Sequence, residues 1–147
     1  MINRRDVVTA GAAATAVFSM SALAHDDKAA KTPTPPSGIA AHQAVYDATL
    51  ECLRTGTVCL DHCIRSLSTG STMMAECAGT VRAMLATCEA TRDLAMLDNK
   101  NFKALAAVCA KVCRDCEAAC KKHSGMHAEC KACMESCAKC AEACEKA

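Results

Sequence analysis

The sequence predicts an all-α protein: an antiparallel up-down-up-down four-helix bundle with a cysteine-lined core. Three observations carry this. First, cysteines recur at helical spacing. Cys109, Cys113, Cys116 and Cys120, and then Cys130, Cys133, Cys137, Cys140 and Cys144, step by alternating threes and fours, which is the a/d rhythm of one helix face. Second, the breaks between helix-length segments are short, and short connections force antiparallel neighbours. Third, no stretch alternates apolar and polar residues as a half-buried strand does.

The first helix is expected from Ile39 to Ser68, with an inward stripe of Val45, Thr49, Cys52, Gly56, Cys59 and Cys63, ended by Thr69-Gly70. The second should start after Ser71, a good N-cap, and run to Leu97. Its stripe is Met74, Cys77, Val81, Met84, Cys88, Thr91 and Ala95, and Asp98-Asn99 make the next turn. The third spans Lys100 to Lys122, with Phe102 and Leu105 ahead of its cysteines on the same face. Lys121-Lys122-His123-Ser124-Gly125 is a basic last turn followed by a stop. The fourth spans Met126 to Glu145. At about 100° per residue, each cysteine set stays within a stripe roughly 80° wide, so the thiols point one way.

Counting outward from each loop stacks these stripes in layers: Cys63, Cys77, Cys120 and Cys130; then Cys59, Val81, Cys116 and Cys133; then Gly56, Met84, Cys113 and Cys137; then Cys52, Cys88, Cys109 and Cys140; then Thr49, Thr91, Leu105 and Cys144. Phe102, Leu105, Val45 and Leu94 close one end. His62, Met73, Met74, His123, Met126 and His127 gather at the other. Met84 reads as a packing residue, and His123 and His127 read as solvated loop residues.

Residues 1–24 have the form of a signal peptide. Arg4-Arg5 precede a weakly apolar run that ends in Ala22-Leu23-Ala24, and the paired arginines suggest the twin-arginine type. The expectation is an exported protein, periplasmic or equivalent, cleaved near Ala24. Residues 25–38, with Pro33, Pro35, Pro36 and Gly38, read as a flexible linker, and residues 39–147 as the metal-binding bundle. The apolar run is too short and alanine-rich for a membrane span. Beyond residue 24 the chain has 15 basic and 15 acidic residues. With one Tyr, two Phe and no Trp in the whole sequence, it offers neither a basic footprint nor a stacking platform for nucleic acid.

Fourteen cysteines in a secreted chain would ordinarily suggest a disulfide scaffold. Neighbours one helical turn apart, however, hold their Cβ atoms about 5–6 Å apart, against about 3.8 Å in a bridge. Iron–sulfur motifs wrap a loop around one cluster, whereas a helical stripe spreads sulfur along a line. Zinc takes isolated quartets that carry net charge. Cu(I) prefers thiolate and thioether and is satisfied by two thiolates, each of which can bridge. About one Cu(I) per thiolate, on the order of a dozen per chain, leaves a neutral core. The reading is a copper store that binds multiple Cu(I) ions and is not an enzyme. The alternatives are a zinc-sequestering bundle, a thiol/disulfide redox protein with Cys130 or Cys77 as its reactive thiol, or a structural disulfide bundle, since bridges across helices remain open.

Cys59-Leu60-Asp61-His62-Cys63, the run Cys109 to Cys120, and Ala128-Glu129-Cys130-Lys131-Ala132-Cys133 through Cys144 resemble the exported copper storage proteins of methane-oxidising bacteria. The resemblance covers everything after the leader. It implies that the core cysteines Cys52, Cys59, Cys63, Cys77, Cys88, Cys109, Cys113, Cys116, Cys120, Cys130, Cys133, Cys137, Cys140 and Cys144 bind Cu(I). It also implies a homotetramer and a mouth formed by His62 and Met74 with Met73 beside them. A copper-dependent enzyme or chaperone would receive the metal. The sequence departs from the family at Ser66 and Thr69, where methionines are expected, and in an additional Cys109.

Overall fold

A computed structural model describes residues 37–147. The expected leader and all but the last two residues of the expected linker lie outside the described residues. A short helix, α1 (Ser37–Ala41), leads into four long ones: α2 (Gln43–Ser68), α3 (Ala75–Met96), α4 (Phe102–Lys121) and α5 (Ala128–Glu145). There is no strand among the described residues. Each long helix packs on two others, in the ring α2–α3–α4–α5–α2, and none packs on its diagonal. This is the expected up-down-up-down square.

Several boundaries differ from the expectation. Ser37 and Gly38, placed in the linker, are helical, because a proline immediately ahead favours a helix start and does not hinder the residues after it. The first helix breaks at His42, which leaves the helical conformation to stack on Phe102, ring centroids 4.0 Å apart, with its Nε2 3.1 Å from Asp98 Oδ1. The start of α2 is thereby tied to the α3–α4 turn. Ser71 does not cap α3. The N-cap is Met74, with no side-chain capping bond, and its side chain is only 1% exposed. Burial of a large thioether outweighs a cap worth about 1 kcal/mol. The turns behave as expected. Gly70 takes φ +88° after α2, and Asp98 takes φ +48° after α3, the left-handed conformation that glycine, and less readily Asp or Asn, supplies.

The core is a column of sulfur. Thirteen of the fourteen cysteines are fully buried, and Cys144 is 4% exposed. Val45, Ala95, Phe102 and Ala106 close the end near the α3–α4 turn. Hydroxyls in the core turn back on their own helices: Thr49 Oγ1 donates to the Val45 carbonyl at 2.8 Å and Thr91 Oγ1 to the Thr87 carbonyl at 2.8 Å. Thr55 and Ser136 join α2 to α5 at 2.6 Å.

Candidate metal centre

The thiols form five groups, each with its sulfurs within 4.8 Å of one another. At the open end are Cys59, Cys63, Cys77 and Cys130. Inward follow Cys59, Cys120 and Cys133, then Cys116, Cys133 and Cys137. Toward the closed end are Cys52, Cys88, Cys113 and Cys140, then Cys109, Cys140 and Cys144. All fourteen cysteines take part. Cys77 and Cys120 approach to 3.4 Å, Cys88 lies 3.8 Å from both Cys109 and Cys113, and Cys116 lies 3.9 Å from Cys133. Every cysteine is a free thiol.

This shifts the α4 member of all five expected layers by one helical turn, and the two quartets show it most plainly. Cys59 takes the place expected of Cys120 in the outermost quartet, and Cys113 takes the place expected of Cys109 in the inner one. Counting from a loop midpoint assumes that both arms rise equally. Instead α4 is staggered toward the closed end, because the six residues after Lys121 coil into successive turns before α5 begins.

The column holds its protons by burial and by sharing. Burial pushes the Cys63 thiol up to about 11 and the Cys130 thiol up to about 12. Cys52 is pulled down, because Cys113 first, and then Cys137, Cys140 and Cys88, hydrogen-bond to it. A thiolate formed in such a ring is solvated by neighbouring S–H groups, an environment into which a soft cation can enter in exchange for protons.

At the open end, His62 Nε2 lies 3.1 Å from His127 Nδ1, and Glu129 Oε1 lies 3.8 Å from His62 Nδ1. The rings of His123 and His127 are 6.5 Å apart. His123 is 9% exposed, and its Nδ1 has no hydrogen-bond partner among the described residues. Lys122 clamps Glu76 at 2.7 Å across the same end, joining the end of α4 to the start of α3.

The pattern of the family described as copper storage protein matches residues 39–147. The chain belongs to the copper storage protein family. Solved structures agree. The chain is similar to Cu(I)-bound copper storage protein 3 of Bacillus subtilis, at 26% identity and TM-score 0.65, covering 71% of this chain and 94% of that one. It is also similar to the Streptomyces lividans copper storage protein loaded with 10 copper equivalents, at 26% identity and TM-score 0.66, covering 79% of this chain and 91% of that one. A third structure, of a cytosolic copper storage protein from Streptomyces lividans carrying five coppers, matches at 26% identity and TM-score 0.67, covering 74% and 92%. No curated relative matches the chain in sequence.

These relatives overturn the expectation of export, since the Streptomyces lividans protein is described as cytosolic. That expectation came from a local pattern in residues 1–24, which lie outside the described residues, and nothing in the bundle contributes to it. No helix among the described residues is long and apolar enough to cross a membrane.

The structure of this copper storage protein brings the fourteen expected cysteines together. It divides the expected mouth residues. Met74 is buried one turn before Cys77, whereas Met73 is 62% exposed. His123 and His127, read from the sequence as solvated, are drawn in, His123 to burial and His127 to His62. The signal for His127 was present in the pattern: it stands one turn before Cys130, as His62 stands one residue before Cys63, on helices that pack side by side.

Proposed function

We propose that this copper storage protein takes up many Cu(I) ions as cargo, holds them on the thiolates of its fourteen core cysteines, and yields them to a copper-dependent enzyme or chaperone. The observation that carries this reading is the sharing of members between thiol groups. Cys59, Cys133 and Cys140 each belong to two groups, the arrangement that bridging thiolates need and isolated quartets do not. Cu(I) fits such a ladder because two or three soft sulfurs satisfy it, and because one Cu(I) per thiolate leaves the buried column neutral. No catalytic step is assigned to any residue.

His62, with Met74 and Met73 beside the open end, receives the ion first, and His127 joins it. Phe102 and Val45 block the opposite end. The protein works in the cytoplasm, as the Streptomyces lividans relative does. That compartment keeps thiols reduced, so the store needs no protection from bridge formation. The outer face of α2 exposes Leu50, Val58 and Ile64, at 40%, 51% and 54%, and this apolar strip supports the homo-oligomer, a tetramer, that the family resemblance implies.

The test is a Cu(I) titration of the reduced protein against a competing chelator, beside a count of free thiols in the unfolded chain. About fourteen thiols and on the order of a dozen Cu(I) per chain are expected from ligand counting. A capacity of three or four ions, with Zn(II) bound more tightly than Cu(I), would replace the copper store with a zinc-sequestering bundle.

A further inference from the structure

The thiol ladder thins at its middle. Cys59, Cys63, Cys77, Cys130, Cys120, Cys133, Cys116 and Cys137 are linked by shared members into an outer run. Cys52, Cys88, Cys113, Cys140, Cys109 and Cys144 are linked likewise into an inner run. No cysteine belongs to groups of both runs, and Cys137, which hydrogen-bonds to Cys52 and Cys113, is where they touch. On α4 and α5 the two runs come within one helical turn of each other, at Cys113 and Cys116 and at Cys137 and Cys140. On α2 and α3 they do not. Between Cys52 and Cys59 the stripe carries Gly56, and between Cys77 and Cys88 it carries Val81 and Met84.

Met84 is fully buried, and its position is set by the glycine across from it. A Cβ built on Gly56 would meet Met84 Cε at 2.5 Å and Leu85 Cδ2 at 3.0 Å. The methyl end of Met84 therefore occupies the place where a side chain on the α2 thiol stripe would begin, midway between Cys52 and Cys59. Its sulfur is one bond from that methyl. A long side chain from α3 thus lays its thioether end against α2 at the level where neither helix supplies a thiol, and it carries a soft donor.

We propose that Met84 is a Cu(I) ligand: its thioether adds a donor at the middle of the column, toward Cys113, Cys116 and Cys137, where α2 and α3 supply no thiol. Gly56 is the positioning residue that makes room for it. Thioether is a preferred Cu(I) donor. It bears no proton and no charge, so it binds without changing the charge balance of the column, and it competes poorly with thiolate, which suits a crossing point between two better-supplied runs. This inference rests on the Cu(I)-storage reading.

The test uses full-length protein labelled with selenomethionine, with Met73, Met74 and Met126 at the open end replaced by Leu, and compares it with the same protein carrying Met84→Leu as well. Selenium-edge X-ray absorption of the Cu(I)-loaded forms should show a selenium–copper shell in the first and none in the second. Copper per chain should fall by about one ion in Met84→Leu. Leu conserves the volume of Met closely enough for the core to keep its packing. Gly56→Ala gives an independent check, since the new Cβ displaces the Met84 methyl while leaving the sulfur in the chain. It too should cost about one ion and the selenium–copper shell. Absence of the shell in the parent, or a shell that survives Met84→Leu, overturns the assignment while leaving storage intact. A parent that binds only one or two Cu(I) overturns storage itself, and the assignment with it.

Discussion

Replacing Cys59, Cys63, Cys77 and Cys130 together with Ser removes the outermost ring of the column. In a ladder of bridging thiolates, capacity tracks the number of sulfurs, so four lost sulfurs remove about four Cu(I). Cys59 also belongs to the next group inward, with Cys120 and Cys133, which makes the loss about four to five. If the quartet instead held one tetrahedral ion, the loss would be one. The variant must stay folded for the comparison to mean anything. A buried hydroxyl without a partner costs about 1–3 kcal/mol, and four such losses would rival the whole stability of a domain, about 5–15 kcal/mol. The core shows how that cost is avoided. Thr49 and Thr91 bond the carbonyl one turn back at 2.8 Å, and Ser136 bonds the Cys133 carbonyl at 2.9 Å. New serines on the same helices have the same acceptors, which places each near the low end, about 1 kcal/mol. The expected result is full helicity by circular dichroism, a lowered melting temperature, and about four fewer Cu(I) in a chelator-competition titration. A loss of one ion with helicity unchanged would refute the bridged column.

Four further outcomes concern the mouth and its thiols. Burial raises Cys63 to about 11 and Cys130 to about 12 from an ordinary value of 9.0. Above pH 9 the unfolded chain therefore sheds protons that the folded apo protein keeps, and denaturant midpoints should fall as pH rises from 9 toward 11 while these two groups leave them unchanged below that window. Cu(I) affinity should move the opposite way, weakening as pH is lowered, because each incoming ion must displace protons; a pH-independent chelator competition would contradict thiolate binding. Replacing His62, Met73 and Met74 with Leu should slow copper uptake in stopped-flow loading and leave capacity nearly intact. His127→Ala should slow it in the same way through the 3.1 Å contact with His62. An unchanged rate with a large loss of capacity would show that copper enters elsewhere.

Much of the candidate site was legible because a helix states its inward face in its own sequence. Cys116, Cys120, Cys133 and Cys137 had to share a bore once their stripes were recognised, whatever the details of the turns. The mouth was legible only in part. His62 was found because it adjoins Cys63, but His123 and His127 looked like ordinary loop residues. The loop between α4 and α5 folds His123 back to burial through backbone bonds, from the His123 amide to the Cys120 carbonyl and from the Met126 and His127 amides to the His123 carbonyl, and no short sequence signal announces that.

The sequence by itself determined four long helices, their antiparallel order, the sulfur stripe on each and the chemistry those sulfurs favour, since all of these depend on residue type and on a fixed angle per residue. Only the tertiary structure decided which thiols share an ion. A helix rises about 1.5 Å per residue, so an error of two residues in the height of α4 moves a sulfur by about 3 Å. That is nearly the 3.4 Å that separates Cys77 from Cys120. Loop geometry fixes that height, and it is what placed Cys59 rather than Cys120 in the outer quartet.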